Sequence, residues 1–272
     1  MSTFADIAKV CSIPESDTRR ILRHAMTYYI FREPSPGRVA HTAASKALAE
    51  IPLFGQFIGF LSSEMWPSAT RFVDAMQKWP NSGEPNEAGF ALAFNTDVPM
   101  FDVVSRDPER AQQMAGAMSF MHSGQTYSPR HIAEHFEWGA AAKGILVDIG
   151  GGRGSVAMEI AQHLPEIKCV VQDLPDVIQG AEVPEDLKRG ERLRFMAHDF
   201  FQEQPVKGAD VYLLRWVLHD WSDKYAVKIL RNLIPALKKG ARVLISDLCV
   251  PPPCVLSPYQ ERSARLVYPV FP

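Results

Sequence analysis

The sequence has no excess of positive charge. Its 29 lysines and arginines face 31 aspartates and glutamates, for a formal net charge of -2, and no basic stripe stands out. An electrostatic grip on nucleic acid or anionic lipid therefore has no compositional basis, and small-molecule chemistry is the better expectation. Cysteine is scarce: four thiols, at 11, 169, 249 and 254, show neither zinc-type nor redox-type paired spacing. Scattered thiols in a chain of this size suggest a reducing compartment. The start, MSTFADIAKV, lacks a basic segment followed by an apolar stretch, so no secretory signal is expected. The most apolar region, 51 to 66, is interrupted by Pro52, Gly55, Gly59 and Glu64, which excludes a bilayer span. These absences together favour a cytoplasmic protein with no membrane and no nucleic acid partner.

What is present is ample apolar material, 46% of 272 residues, enough for one large or two modest cored domains. Residues 3 to 46 read as a compact helical module ending in a small wing. Phe4, Ile7, Ala8 and Val10 suit a short helix, Ser12 to Asp17 supply turn and cap residues, and 18 to 29 carries Ile21, Leu22, Ala25 and Met26 at helical spacing. The segment 31 to 41, with Pro34, Pro36 and Gly37, reads as a hairpin. Arg19, Arg20 and Arg23 form one short basic face, which is read as a solvated surface and not as a DNA reader. From 51 to 76 an aromatic-rich helical stretch follows. Between 79 and 95 it breaks up, and Trp79, Phe90, Phe94 and Phe101 are placed either to line a pocket for a flat ligand or to pack against a second domain. Met114, Met118 and Met121 recur at helical spacing on a helix from 110 to 124. His131, Glu134 and His135 spell HxxEH, but no third ligand follows, so a solvated helix face is expected and metal is not.

After Gly144 the rhythm changes to strand, turn, helix. The stretch ILVDIGGGRG, 145 to 154, has the pattern of a buried strand that stops in a tight glycine turn and opens a helix. Such a turn brings backbone N–H groups close to a ligand at the positive end of the helix, although a lone glycine pattern can equally just turn the chain. Further strands are expected at 168–172, 193–197, 210–214 and 242–246, with helices at 155–164 and 223–239, the latter N-capped by Ser222 and stopped by Gly240. The expected fold class is α/β: a Rossmann-like, doubly wound parallel sheet preceded by a helical winged-helix-like domain. The expected division is 1–125 for the helical part and 126–272 for the sheet domain. Ligands of such sheets lie beyond the carboxyl ends of the strands. Asp173, Asp199, Arg215 with His219, and Asp247 all fall at consecutive strand ends. An acid after the second strand suits the two hydroxyls of a ribose, and hence a nucleoside cofactor. Gly150, Gly152 and Ser155 give GxGxxS and not GxGxxG, and with Asp148 ahead of the turn this suits a cofactor without a pyrophosphate.

VDIGGGRG, VQDLP, AHDFF and LLRWVLHDWSD, in this order and spacing, resemble the small-molecule O-methyltransferases that use S-adenosylmethionine, shared by plant phenolic and fungal secondary-metabolite enzymes. PPPCVLSPYQERSAR looks particularly like the fungal branch, some of whose members methylate aromatic polyketides. The resemblance implies methyl transfer to a hydroxyl of an aromatic substrate, and a winged helix that serves homodimerisation. It further implies that Gly150, Gly151 and Gly152 cradle the methionine portion of the cofactor. Asp173, with Leu174 beside it, would hold the ribose, Asp199 and Phe200 would flank the adenine, and Arg215 takes a basic adenine-side position. His219 matches the family's general base and Asp247 an acid that steadies it; a base with a pKa near neutrality suits removal of a phenolic proton.

The chain departs from the family pattern at both ends. It begins inside the winged helix, and Leu266 to Pro272, LVYPVFP, abandons the pattern soon after the fifth strand. The fifth strand is then expected to be an uncovered edge, and the protein marginally stable or prone to aggregate. Two other readings stand beside the enzyme: a catalytically silent family member that binds a ligand or partner, and a cofactor-assisted rearrangement on the same fold.

Overall fold

The computed structural model describes residues 1–124, 127–247 and 252–265. It forms two compact units, Met1–Ile58 and the chain from Gly59 onward. In the first unit, α1 (Phe4–Cys11) and α2 (Glu15–Met26) accompany a three-stranded antiparallel sheet of β1 (Ser2–Thr3), β2 (Arg32–Ser35) and β3 (Arg38–Ala40), in the order β1-β3-β2. Thr3 and Asp6 cap α1 reciprocally, and Gly37, at φ 78, turns the hairpin. The second helix starts three residues before the expected position, where Pro14 precedes Glu15 and Asp17 in its first turn, and it ends at Met26. Then come α3 (Ala43–Glu50) and α4 (Phe54–Phe60).

The aromatic-rich stretch from 51 to 76 is not one helix. After α4 the chain widens into a π-helical turn, Leu61–Met65, and continues as α5 (Trp66–Thr70) and α6 (Phe72–Lys78). The π turn coincides with an ion pair whose carboxylate is buried: Glu64, 2% exposed, accepts from Arg110 Nε and Nη2 at 2.8 and 2.7 Å. Within the segment expected to be irregular, α7 (Gly89–Phe94) forms, because Gly89 lies against the Ser68 carbonyl, where a Cβ would come within 2.3 Å. The helices α8 (Met100–Ser105), α9 (Pro108–Ser123) and α10 (Arg130–His135) complete this part. On α9 the buried residues are Gly116 and Ala117, with the methionine stripe half-buried beside them.

The second unit's sheet has five parallel strands in the order β6-β5-β4-β7-β8: β4 (Ile145–Ile149), β5 (Lys168–Asp173), β6 (Leu193–Ala197), β7 (Val211–Arg215) and β8 (Arg242–Ser246). Alternate residues of each strand feed cores on opposite faces. Leu146, Val171 and Leu213 pack with Val156 and Ile160 of α11 (Ser155–His163) on one side; Val147, Val170 and Tyr212 pack with Ile229 and Leu233 of α14 (Asp223–Leu233) on the other. Near-continuous apolar strands covered on both faces are what a parallel sheet requires. Two short helices, α12 (Pro175–Ile178) and α13 (Glu185–Arg189), lie in the crossovers, and α15 (Pro258–Arg265) follows the sheet.

Helix α14 ends six residues before the expected stop. Pro235 cannot supply the backbone N–H that would continue it, and the chain tightens into a 3₁₀ turn, leaving Leu237 38% exposed. Ser222 stands at the N-cap position, but its hydroxyl makes no cap and instead donates to the Gly83 carbonyl at 2.7 Å. Leu266 to Pro272, Cys249 and the proline-rich lead-in to Pro251 lie outside the described residues. No helix among the described residues is long and apolar enough to cross a membrane.

Candidate active site

The chain runs outward from β4 through β5 to β6, then returns to lay β7 and β8 on the other side of β4. That reversal opens a crevice at the carboxyl ends of β4 and β7. The glycine turn occupies it. Gly150, Gly152 and Gly154 adopt φ of 67, 56 and 82°, which side chains disfavour. At Gly150 a Cβ would meet Val217 at 2.9 Å, and at Gly151 it would meet the Asp148 carboxylate at 2.7 Å, whereas nothing lies within 4 Å of that position at Gly152. The turn is thus closed from below and open above.

Two acids line it. Asp173, ending β5, accepts from the Gly152 N–H and the Leu174 N–H, each at 2.8 Å. Burial raises its pKa against the pull of those two donors. Asp148, 1% exposed, is pushed up to about 7 by burial and by the neighbouring Asp173, and its Oδ2 has no hydrogen-bond partner. Leu174 is 43% exposed beside them. An orphaned buried carboxyl oxygen under an open glycine floor fits a ligand that carries positive charge, as a sulfonium nucleoside does.

Asp199 and Phe200 follow β6. Asp199 accepts from the Phe201 N–H at 2.8 Å, which fixes the turn, and the Phe200 ring stands over Gly150, 3.7 Å from where a Cβ would be. Arg215 ends β7. Its guanidinium donates to the Tyr127 carbonyl, reaches Ser246 Oγ at 3.4 Å and lies over the Trp216 ring, while burial lowers its pKa against the attraction of Asp148 and Asp247. Trp216 itself takes φ 54 and stacks on His122, whose imidazole is pushed down to about 4 by burial and by Arg215.

His219 sits in a 3₁₀ turn, Leu218–Asp220, beyond β7. Its Nδ1 bonds the carboxylate of Asp247, the first residue after β8, and its Nε2 lies 3.2 Å from Asp220 Oδ1. Burial opposes the imidazolium, but hydrogen bonds to Asp220 and Asp247 outweigh it and lift the pKa to about 10. This exceeds the near-neutral value expected from sequence, because a second carboxylate, adjacent in the chain, faces Nε2. Asp220, which burial raises, was not singled out in the sequence. Its one signal was its place directly after His219.

Asp220 and Trp221 also close one side of an apolar cavity whose other walls include Met65, Phe72, Phe90 and Phe101. Of the four aromatics with a possible pocket role, Phe90 and Phe101 line this cavity, Trp79 borders a separate polar hollow with Asn86 and Asp97, and Phe94 packs on Phe90 at 4.5 Å. The HxxEH residues stand elsewhere: Arg130 Nε holds Glu134 at 2.6 Å, and the rings of His131 and His135 stack at 6.0 Å. Among the described residues no group of three or more histidine, cysteine, aspartate or glutamate side chains is arranged to hold a metal ion.

The chain is similar to known O-methyltransferases in sequence and in fold. The chain is 43% identical over 263 residues to O-methyltransferase kk1A of Curvularia clavata, covering 97% of this chain and 61% of that protein. It is 45% identical over 237 residues to chlorophenol O-methyltransferase of Trichoderma longibrachiatum, covering 85% of this chain and 51% of that one. The chain therefore spans between half and two thirds of the length of these relatives. Among solved structures, the mitomycin 7-O-methyltransferase MmcR superposes with a TM-score of 0.80 at 26% identity, over 99% of this chain and 77% of that one. Residues 75–255 match the O-methyltransferase domain model, and the chain belongs to that family.

Proposed function

We propose that this protein transfers a methyl group from S-adenosylmethionine to a hydroxyl of an aromatic secondary metabolite of phenolic or polyketide type. One observation carries the reading: the His219–Asp247 pair sits at the carboxyl ends of β7 and β8, on the β7 side of the glycine turn, next to an apolar cavity of ring-sized walls. Gly150, Gly151, Gly152, Asp173, Leu174, Asp199, Phe200 and Arg215 would hold the cofactor, which supplies an electrophilic methyl group on a positively charged sulfur. Asp148 and Asp173 favour that charge.

The chain's own chemistry is proton removal and alignment. The substrate hydroxyl takes the place of Asp220 at His219 Nε2; with one of the two carboxylates that hold the imidazolium withdrawn, the Nε2 proton is lost to solvent and the neutral ring is recovered. The hydroxyl proton passes to Nε2, and Asp247 on Nδ1 fixes the tautomer and stabilises the imidazolium that forms. With its proton held on His219, the substrate oxygen would be the nucleophile for the methyl group that the bound cofactor would supply, the bonding pair staying on the cofactor's sulfur. The apolar cavity excludes water and sets the line of attack. The same reading assigns 1–125 to dimerisation and substrate lining and 126–272 to the cofactor, in a homodimeric cytoplasmic enzyme. Exposed Val10, Ile21, Tyr28 and Tyr29 of the first unit are compatible with a second copy.

Calorimetric titration with S-adenosylmethionine should show binding, and labelled methyl should pass to simple phenols at a rate that falls at least about 100-fold in His219→Ala. Absence of cofactor binding would end the enzyme reading. Binding without transfer would make the chain a silent, ligand-binding family member, and an unchanged rate in His219→Ala would remove that residue from the mechanism.

A further inference from the structure

The segment that carries His219 continues into a second set of contacts. Directly after Asp220 and Trp221, Ser222 Oγ donates to the Gly83 carbonyl at 2.7 Å, the Lys224 ammonium pairs with Glu84 Oε1, and the Tyr225 hydroxyl donates to Glu84 Oε2 at 2.6 Å. Both oxygens of Glu84 are thus held from one turn of α14. Fit is close at the junction: a Cβ on Gly83 would lie 2.9 Å from Ser222 Oγ. The loop is braced internally as well, with the Glu84 N–H donating to Ser82 Oγ at 3.1 Å and the Glu87 N–H to the Glu84 carbonyl at 3.1 Å. Pro85 and Ala88, immediately after the clamped residues, are walls of the apolar cavity that Asp220 and Trp221 close from the other side. A run of seven residues, 219 to 225, therefore holds the candidate base at one end and the facing wall of the cavity at the other.

We propose that Glu84, gripped by Lys224 and Tyr225, is a positioning residue that fixes the cavity wall at a set distance from His219 and so selects the aromatic rings that present a hydroxyl to it. Neither Glu84 nor its two partners touches the reacting atoms. Their effect is on where the ring lies, so it belongs to substrate affinity and not to the proton transfer. The inference rests on the reading of the cavity as a phenol site.

The test uses the full chain with 4-chlorophenol as probe, in Tyr225→Phe and Glu84→Gln. Each variant removes or weakens one grip without emptying a core position. A hydrogen bond of this kind corresponds to about a threefold to tenfold rise in KM for the phenol, and in its equilibrium Kd read from tryptophan fluorescence. The cofactor Kd, kcat and the midpoint of the pH profile should stay within about twofold. Amide exchange at Gly83, Glu84, Glu87 and Ala88 should quicken in the variants while β4 is unchanged. Unchanged KM and Kd in both variants, or a parallel loss of kcat, cofactor affinity and thermal stability, would overturn the positioning role. If the unaltered chain binds the phenol but never methylates it, the enzyme reading fails while the shift in Kd still decides on Glu84. If it does not bind the phenol at all, both fall.

Discussion

At the scale of single residues, two buried groups dominate the electrostatics of the site, and both make the fold sensitive to alkali. Asp148 is held near 7 instead of its usual 3.8, so its burial costs nothing while it is protonated and increasingly destabilises the fold as pH rises from about 4 to about 7. His219 is held near 10 instead of 6.5, so the stability contributed by its imidazolium is complete below pH 6.5 and is lost as pH climbs toward 10. Urea unfolding across about pH 5 to 10 should therefore show a steady fall in stability. Asp148→Asn should flatten the acid part and His219→Gln the alkaline part, whereas a profile that rises toward alkali would contradict both assignments. The same logic bears on the proposed chemistry. Asp220→Asn takes one carboxylate from Nε2, so the pH at which kcat/KM reaches half its maximum should move down; a midpoint that stays in place would mean Asp220 does not set the state of the base.

At the scale of elements, the helical part is shaped by one ion pair whose carboxylate is buried. Glu64 stands in the π-helical turn with a side chain 3% exposed, and Arg110 reaches it from α9 through two nearly parallel hydrogen bonds. A widened turn at this point lets the carboxylate face inward, and the neighbouring residues Met65, Ser68 and Phe72 then line the apolar cavity. Removing one partner of such a pair leaves the other charge unsatisfied. Glu64→Gln should cost about 1.5 kcal/mol and lower the thermal midpoint by about 3 to 6 °C, and replacing both residues together by Met and Leu should recover much of that loss. Calorimetry of the two variants checks it, and a double variant no more stable than the single one would mean that packing, not charge, holds the turn.

At the scale of the whole molecule, the exposed element is the outer strand. Among the described residues β8 pairs only with β7, and Val243 and Ile245 on it are 38% and 48% exposed. A half-covered edge of this kind invites pairing with another chain. Ile245→Lys should raise the protein concentration at which light scattering appears on warming, without lowering the unfolding midpoint by more than about 0.5 kcal/mol equivalent. Unchanged scattering would locate the association elsewhere.

The sheet domain and its cradle are legible in the local sequence. Five apolar runs punctuated by turns, glycines at 150, 151, 152 and 154 after the first, and polar groups at the ends of the other four are local patterns, and each strand appears within a residue or so of its expected place. They are legible because a parallel strand buried on both faces and a turn at positive φ admit few residue types. Tertiary structure alone decided the rest. The widened turn in the helical stretch coincides with Glu64 meeting Arg110, 46 positions away, and Gly89 is required where α7 meets the Ser68 carbonyl; the lost cap at Ser222 and the grip on Glu84 depend on partners about 140 positions apart. The protonation of His219 also depends on space: the resemblance implies Asp247 beside it, but the direction of Asp220, which faces Nε2, is not written in a motif. Periodicity records which face of an element is apolar; which polar group meets which across the chain is set only when those faces are packed together.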